Sequence, residues 1–194
     1  MMLLAVGGLS ACTTKNNQQV NSEATETENN EVMDLKGKKV LVAYFSWSGN
    51  TKHAAQYIAQ KLGADEFEII REKPYPTDYT PCTEDAKAEK EAGERPAIKG
   101  KVENMAQYDV VFVCVPVWWY TAPMPVFTFL EQYDLKGKTV IPFTTHEGSG
   151  LANCVEDVEA AFTGANVTKG FSIYGHEVRS GKAKVEKWLK GLGY

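Results

Sequence analysis

Ser46, Ser48 and Thr51, with Trp47, Gly49 and Asn50 between them, follow the apolar run at residues 40–45 without a break. Three hydroxyls and a glycine between a strand and a helix have the makings of an anion cradle. The first turn of a helix leaves backbone N–H groups unpaired and carries partial positive charge, so a phosphate there gains hydrogen bonds and favourable electrostatics. Gly49 permits a tight turn, and Asn50 is the expected cap of a helix that begins at about Thr51. The loop holds no Lys or Arg. It therefore differs from the G-x-x-x-x-G-K-[ST] loop, where a Lys reaches the terminal phosphates of a triphosphate. A neutral cradle suits a single phosphate monoester.

A second cluster, Pro116, Val117, Trp118, Trp119 and Tyr120, with Pro123 just beyond, follows a β-branched run. Adjacent aromatics on a loop cannot all face a core, and flat rings with polar edges suit stacking on a flat heteroaromatic ligand. The prolines stiffen the loop, which lowers the entropy lost on binding. A third loop, Thr144, Thr145, His146, Glu147, Gly148, Ser149 and Gly150, is small and polar. Gly150 stands where H-E-x-x-H needs its second His, residues 147–151 do not spell G-x-S-x-G, and Asn153 stands where a dinucleotide fingerprint needs its third glycine. Zinc-protease, hydrolase and Rossmann dehydrogenase readings weaken together. His146 is the candidate catalytic residue, placed to contact a ligand's ring edge or a substrate. His53 is either a charge behind the phosphate or a solvated side chain. With His176, these histidines lack metal-ligand spacing, so no metal site is expected.

Such loops need a frame. Apolar runs mark strands at residues 39–45, 66–71, 110–115, 138–144 and 166–173, and helical patterns lie between and after them at 51–62, 83–92, 125–133, 151–162 and 181–192. This alternation predicts an α/β fold, a doubly wound five-stranded parallel sheet of order 2-1-3-4-5 with helices on both faces. All three loops then fall at the carboxyl ends of strands, on one rim. The 110–115 run is apolar throughout and belongs at the centre of the sheet. Cys82, Cys114 and Cys154 are odd in number and lack C-x-x-C spacing, which argues against zinc and against a complete disulfide framework. A Cys82–Cys154 bridge stays open, and Cys114 reads as a small core residue.

The S/T-x-S/T-G-N-T cradle, the P-V-W-W loop, the T-x-x-G-S-G loop and a Pro-Tyr…Asp-Tyr connection at residues 74–79 make the chain resemble the flavodoxin family from about residue 38 onward. The resemblance implies FMN bound without a covalent bond. It would place the phosphate on Ser46, Ser48, Asn50 and Thr51, the ring near Trp118, Trp119 and Tyr120, and the 144–150 loop along the ring edge, with Tyr75 and Tyr79 capping the site. Many relatives carry Gly after the tryptophan, whose backbone can flip toward the reduced ring; here Tyr120 follows Trp119. A Tyr should resist that positive-φ flip, which leaves two-electron chemistry open.

Residues 1–11 read as the remnant of a signal peptide, and Leu9-Ser10-Ala11-Cys12 resembles a bacterial lipobox. Residues 12–34, polar and acidic, read as a lipidated flexible tether, and residues 35–194 as a flavodoxin-like domain. The implied location is the bacterial cell envelope, with membrane contact only through lipid at Cys12. The 194-residue chain has a net charge of −4, and five acids against one lysine in the tether account for it. A neutral domain gives no support for nucleic-acid binding. The leading expectation is an FMN redox protein that transfers electrons to a redox partner protein or a small-molecule acceptor. The alternative is an NAD(P)H-dependent FMN oxidoreductase acting on a quinone or similar acceptor. A module without flavin is the third reading and would stay colourless when offered FMN; a homodimer is left open.

Overall fold

The computed structural model describes residues 33–162 and 164–194. The apolar leader, Cys12 and the tether up to residue 32 lie outside them. In chain order the elements are β1 (Val40–Tyr44), α1 (Asn50–Leu62), β2 (Asp65–Glu68), β3 (Ile70–Arg71), α2 (Tyr79–Ala92), β4 (Ile98–Lys99), β5 (Val110–Pro116), α3 (Met124–Glu131), β6 (Thr139–His146), α4 (Cys154–Ala161), β7 (Asn166–Val167), β8 (Phe171–Tyr174) and α5 (Lys182–Gly191). The main sheet is parallel with order β2-β1-β5-β6-β7, and β8 also pairs with β6. This is the expected 2-1-3-4-5 order, with the fifth strand in two pieces.

Side chains alternate across β1 and β5 and feed two cores. Leu41, Ala43, Phe45, Val111 and Val113 pack on one face with Val126, Phe129 and Leu130 of α3 and Val158 of α4. Val40, Val42, Phe112 and Cys114 pack on the other with Ala55 and Ile58 of α1 and Val185 and Leu189 of α5. The central strand is buried on both faces because helices cover both. Met33, assigned to the tether by composition, packs against the second core.

Several boundaries move for tertiary reasons. The second strand ends at Glu68 because its neighbour β1 ends at Tyr44; Ile69 donates the last bond to Tyr44 O, and Ile70–Arg71 turns away to pair antiparallel with Ile98–Lys99. The fourth strand instead runs on to His146, because β5 continues beside it to Pro116 and pairs with Thr145. Thr144 and Thr145 are thus strand residues rather than loop. The fifth strand breaks at Gly170, where φ is +70 and an added Cβ would lie 2.6 Å from Pro142 O. Helix α2 starts four residues early, at Tyr79, and α4 starts three residues late, at Cys154. Cys82, Cys114 and Cys154 are all buried and free, so the bridge left open between Cys82 and Cys154 is absent.

Candidate functional site

A cleft of about 620 Å³ opens at the carboxyl ends of β1, β5 and β6, walled on one side by the start of α2. From the loop after β1 it is lined by Trp47, Ser48 and Asn50. Ser46 turns inward and accepts a bond from the Gly49 N–H at 3.1 Å, closing the loop on itself. Gly49, at φ +90, is the N-cap residue and Asn50 is already helical, so Asn50 is not the cap that the sequence suggested. That frees its amide to face the cleft. Thr51 is 2 % exposed, and its hydroxyl meets the Thr145 hydroxyl at 2.7 Å. It braces the cradle from behind instead of lining it. The loop thus offers one exposed hydroxyl, one amide and the unpaired N–H groups of a helix start.

His53 lies in the first turns of α1, half-buried. Burial, then Arg179 and Lys182, hold its pKa below the ordinary 6.5.

The three aromatics diverge. Trp118 is half-buried, edge-on to Phe45 and Tyr75 at 5.4 and 5.0 Å between ring centroids. Trp119 and Tyr120 form a two-residue turn, closed by Trp118 N–H to Thr121 O at 2.9 Å and Thr121 N–H to Trp118 O at 3.1 Å. Their φ values are 51 and 65, the signature of a type I′ turn. Tyr120 thus already holds a positive φ despite the penalty a Tyr carries there: both residues are left-handed, at a cost of about 1–2 kcal/mol each. Trp119 lies against α2, its indole N–H donating to Thr83 O at 2.9 Å. Across the cleft Trp47 donates its indole N–H to Pro76 O at 2.9 Å, and the exposed ring of Tyr79 stands 6.5 Å from it. Tyr75 does not cap the site; it is buried beneath Trp118.

At the other rim, Thr145, His146, Glu147, Gly148 and Ser149 line the cleft. Thr144 is fully buried and donates to Gly150 O at 3.0 Å, so this pair shapes the loop from outside the cleft. His146 Nδ1 accepts the Gly148 N–H at 2.9 Å, which puts the neutral ring's proton on Nε2. Burial lowers its pKa against the pull of Glu147 and Glu177. Sequence reasoning missed what covers this rim. The turn after β8 brings Gly175 into the lining, and His176 meets Glu147 through N–H to Oε1 at 3.1 Å and Nδ1 to Oε2 at 2.6 Å. No spacing signal links residues 29 apart. Cys82, Thr83 and Ala86 of α2 also line the cleft and were missed, though a helical stripe beside the Pro-Tyr connection was a usable cue. Burial pushes the Cys82 thiol up to about 11, so it is inert.

A sequence profile of the flavodoxin family matches residues 39–192, which include every one of these loops. The chain belongs to the flavodoxin family. Solved structures of two candidate flavoproteins resemble this family member over nearly their whole length. The one from Bacteroides eggerthii is 34 % identical at a TM-score of 0.68, covering 81 % of this chain and 99 % of its own. The one from Bacteroides uniformis is 33 % identical at 0.69, covering 80 % and 99 %. A flavoprotein from Lactobacillus acidophilus, solved in complex with FMN, is 26 % identical at 0.62, covering 74 % and 97 %. Among curated proteins nothing matches. The donor set of this flavodoxin-family cleft, hydroxyl, amide and helix N–H beside flat aromatic walls, fits a mononucleotide with one phosphate.

Proposed function

We propose that this flavodoxin-family chain is a redox protein that carries electrons through non-covalent FMN. The cofactor is FMN. One observation supports the reading above all: the cleft joins a neutral helix-start cradle to aromatic walls, with Glu147 the only charged side chain among its described lining residues. Ser48, Asn50 and the first-turn N–H groups would hold the phosphate, and Trp47, Trp119 and Tyr120 would flank the ring and keep water off it. When bound, FMN supplies one- and two-electron chemistry. The chain's own contribution is position, exclusion of water and a neutral His146 whose Nε2–H can donate a hydrogen bond in the cleft. The described lining residues include no Lys or Arg to grip the phosphates of a dinucleotide, which favours a carrier served by a redox partner protein.

A second reading is an NAD(P)H-dependent FMN oxidoreductase that reduces a quinone or similar small acceptor. The Trp119–Tyr120 turn favours it. Flipping the central peptide of a type I′ turn gives type II′, which places Gly at the first central position, and Trp119 occupies that position here. Backbone that cannot follow a one-electron change suits two-electron exchange. The two readings separate when the FMN-loaded protein is mixed anaerobically with NADH or NADPH. A carrier keeps its yellow colour until a separate reductase is added; rapid bleaching assigns the oxidoreductase.

The proposal extends to location, with lipid on Cys12 anchoring the domain to the bacterial envelope. Cys12→Ser is expected to move the protein from the membrane fraction to the soluble one. A wild type already soluble sinks the anchor.

A further inference from the structure

Two consecutive non-glycine residues in the left-handed region persist only where their surroundings over-determine them. For Trp119 and Tyr120 those surroundings include α2, beside the bonds across the turn and the Asn153 N–H on Tyr120 O. Thr83, Lys87 and Lys90 fall along one stripe of that helix, four and then three residues apart, and all three meet Trp119. The indole donates to Thr83 O at 2.9 Å, Lys87 Nζ stands 5.5 Å from the ring centroid, and Lys90 Nζ donates to Trp119 O at 2.6 Å. Of these three, Lys90 grips the peptide between the two left-handed residues. The helix that carries it is itself pinned: the neighbouring Glu89, 4 % exposed, accepts the Tyr75 O–H and pairs with Arg71 at 2.5 Å.

We propose that Lys90 is a positioning residue, whose ammonium holds the Trp119–Tyr120 peptide in one orientation and so presents the aromatic turn to the cleft ready-made. The benefit to ligand binding rests on the FMN reading; the grip itself does not. Without the ammonium the turn relaxes out of its left-handed pair. A ligand must then restore it before binding, and its apparent affinity falls by the fraction of turns in place.

The test compares whole chains of wild type, Lys90→Met and Lys90→Arg. Lys90→Met keeps an apolar stem and removes the donor. NMR amide exchange at Trp118, Thr121 and Asn153 reads the turn in the free protein, because the first two N–H groups bond across it and the third donates to Tyr120 O at 2.9 Å. With the turn in place in about one molecule in ten, Lys90→Met is expected to strip these three amides of nearly all their protection from exchange. It should also raise the FMN Kd about tenfold, at an unchanged urea midpoint, and Lys90→Arg should restore both. Unchanged exchange at the turn overturns the proposal. So does faster exchange throughout α2 with a lower midpoint, which would make Lys90 only a stabilising helix residue. Faster turn exchange with an unaltered FMN Kd refutes the positioning role. If the wild type takes up no FMN, the function reading fails alone, since the exchange arm still decides the grip.

Discussion

Thr51 and Thr145 share a buried hydrogen bond, so removing one hydroxyl strands the other. Thr51→Val should cost about 1–3 kcal/mol of stability, read as a lower urea midpoint, with little direct loss of FMN contacts. Ser48→Ala should do the reverse. Its hydroxyl faces the cleft, and losing a bond to a charged phosphate should weaken FMN binding by about 1.5–3 kcal/mol, measured by flavin fluorescence titration, at an unchanged midpoint. The histidines add a pH dependence. His53 has a folded pKa below 6.5, so the unfolded chain binds more protons there; its stabilising contribution is complete above pH 6.5 and declines as pH falls toward the folded value. Glu89, pushed up by burial, works in the opposite direction, so the comparison with His53→Gln is the measurement that decides. A variant whose midpoint falls as steeply as wild type between pH 7.5 and 5.5 would refute the assignment. That the hydroxyl-rich loop would stand at the mouth of a cleft was legible from residue types and their place after a strand, but not which of its hydroxyls face that cleft. Ser46 and Thr51 turn away because their partners, Gly49 N–H and Thr145, are set by the turn and by a strand 94 residues on.

Elements were legible where a long period carried them. The apolar run of β5 and the helical face of α1 gave their type and place, because a buried central strand and a core-facing helix leave strong patterns. The two-residue strands β3 and β4 leave none, since two residues have no period. Gly170 broke the fifth strand for a reason no local window contains, the approach of Pro142 O from β6. Gly170→Ala should therefore destabilise by about 2–5 kcal/mol, the sum of a left-handed alanine and a steric clash, visible as a lower melting temperature. An unchanged melting temperature would mean that the break is not imposed by that contact.

For the molecule as a whole, ligand binding should appear as stability. FMN at a hundred times its Kd adds about 2.7 kcal/mol, which for a chain of this size raises the melting temperature by about 5–11 °C. Riboflavin has the ring without the phosphate and should give a much smaller rise at the same concentration; equal rises would remove the cradle from the account. The doubly wound architecture and the rim where its loops gather were legible because alternation fixes topology and topology fixes where loops fall. The rim turn after β8 was not, since nothing local announces that Gly175 will pass beside Glu147. The sheet's outer boundary carries a separate consequence. On one side it ends in β2, whose four residues include Asp65, Glu66 and Glu68, and on the other in the short, broken pair β7 and β8. Asp65 and Glu68 of β2 pair with Lys39 and Lys52, so this four-residue edge is capped by ion pairs, and the far side offers no long ladder to extend. Crowded at high local concentration, these domains should gain little from extending one another's sheets, and a homodimer is expected to use helices or loops instead.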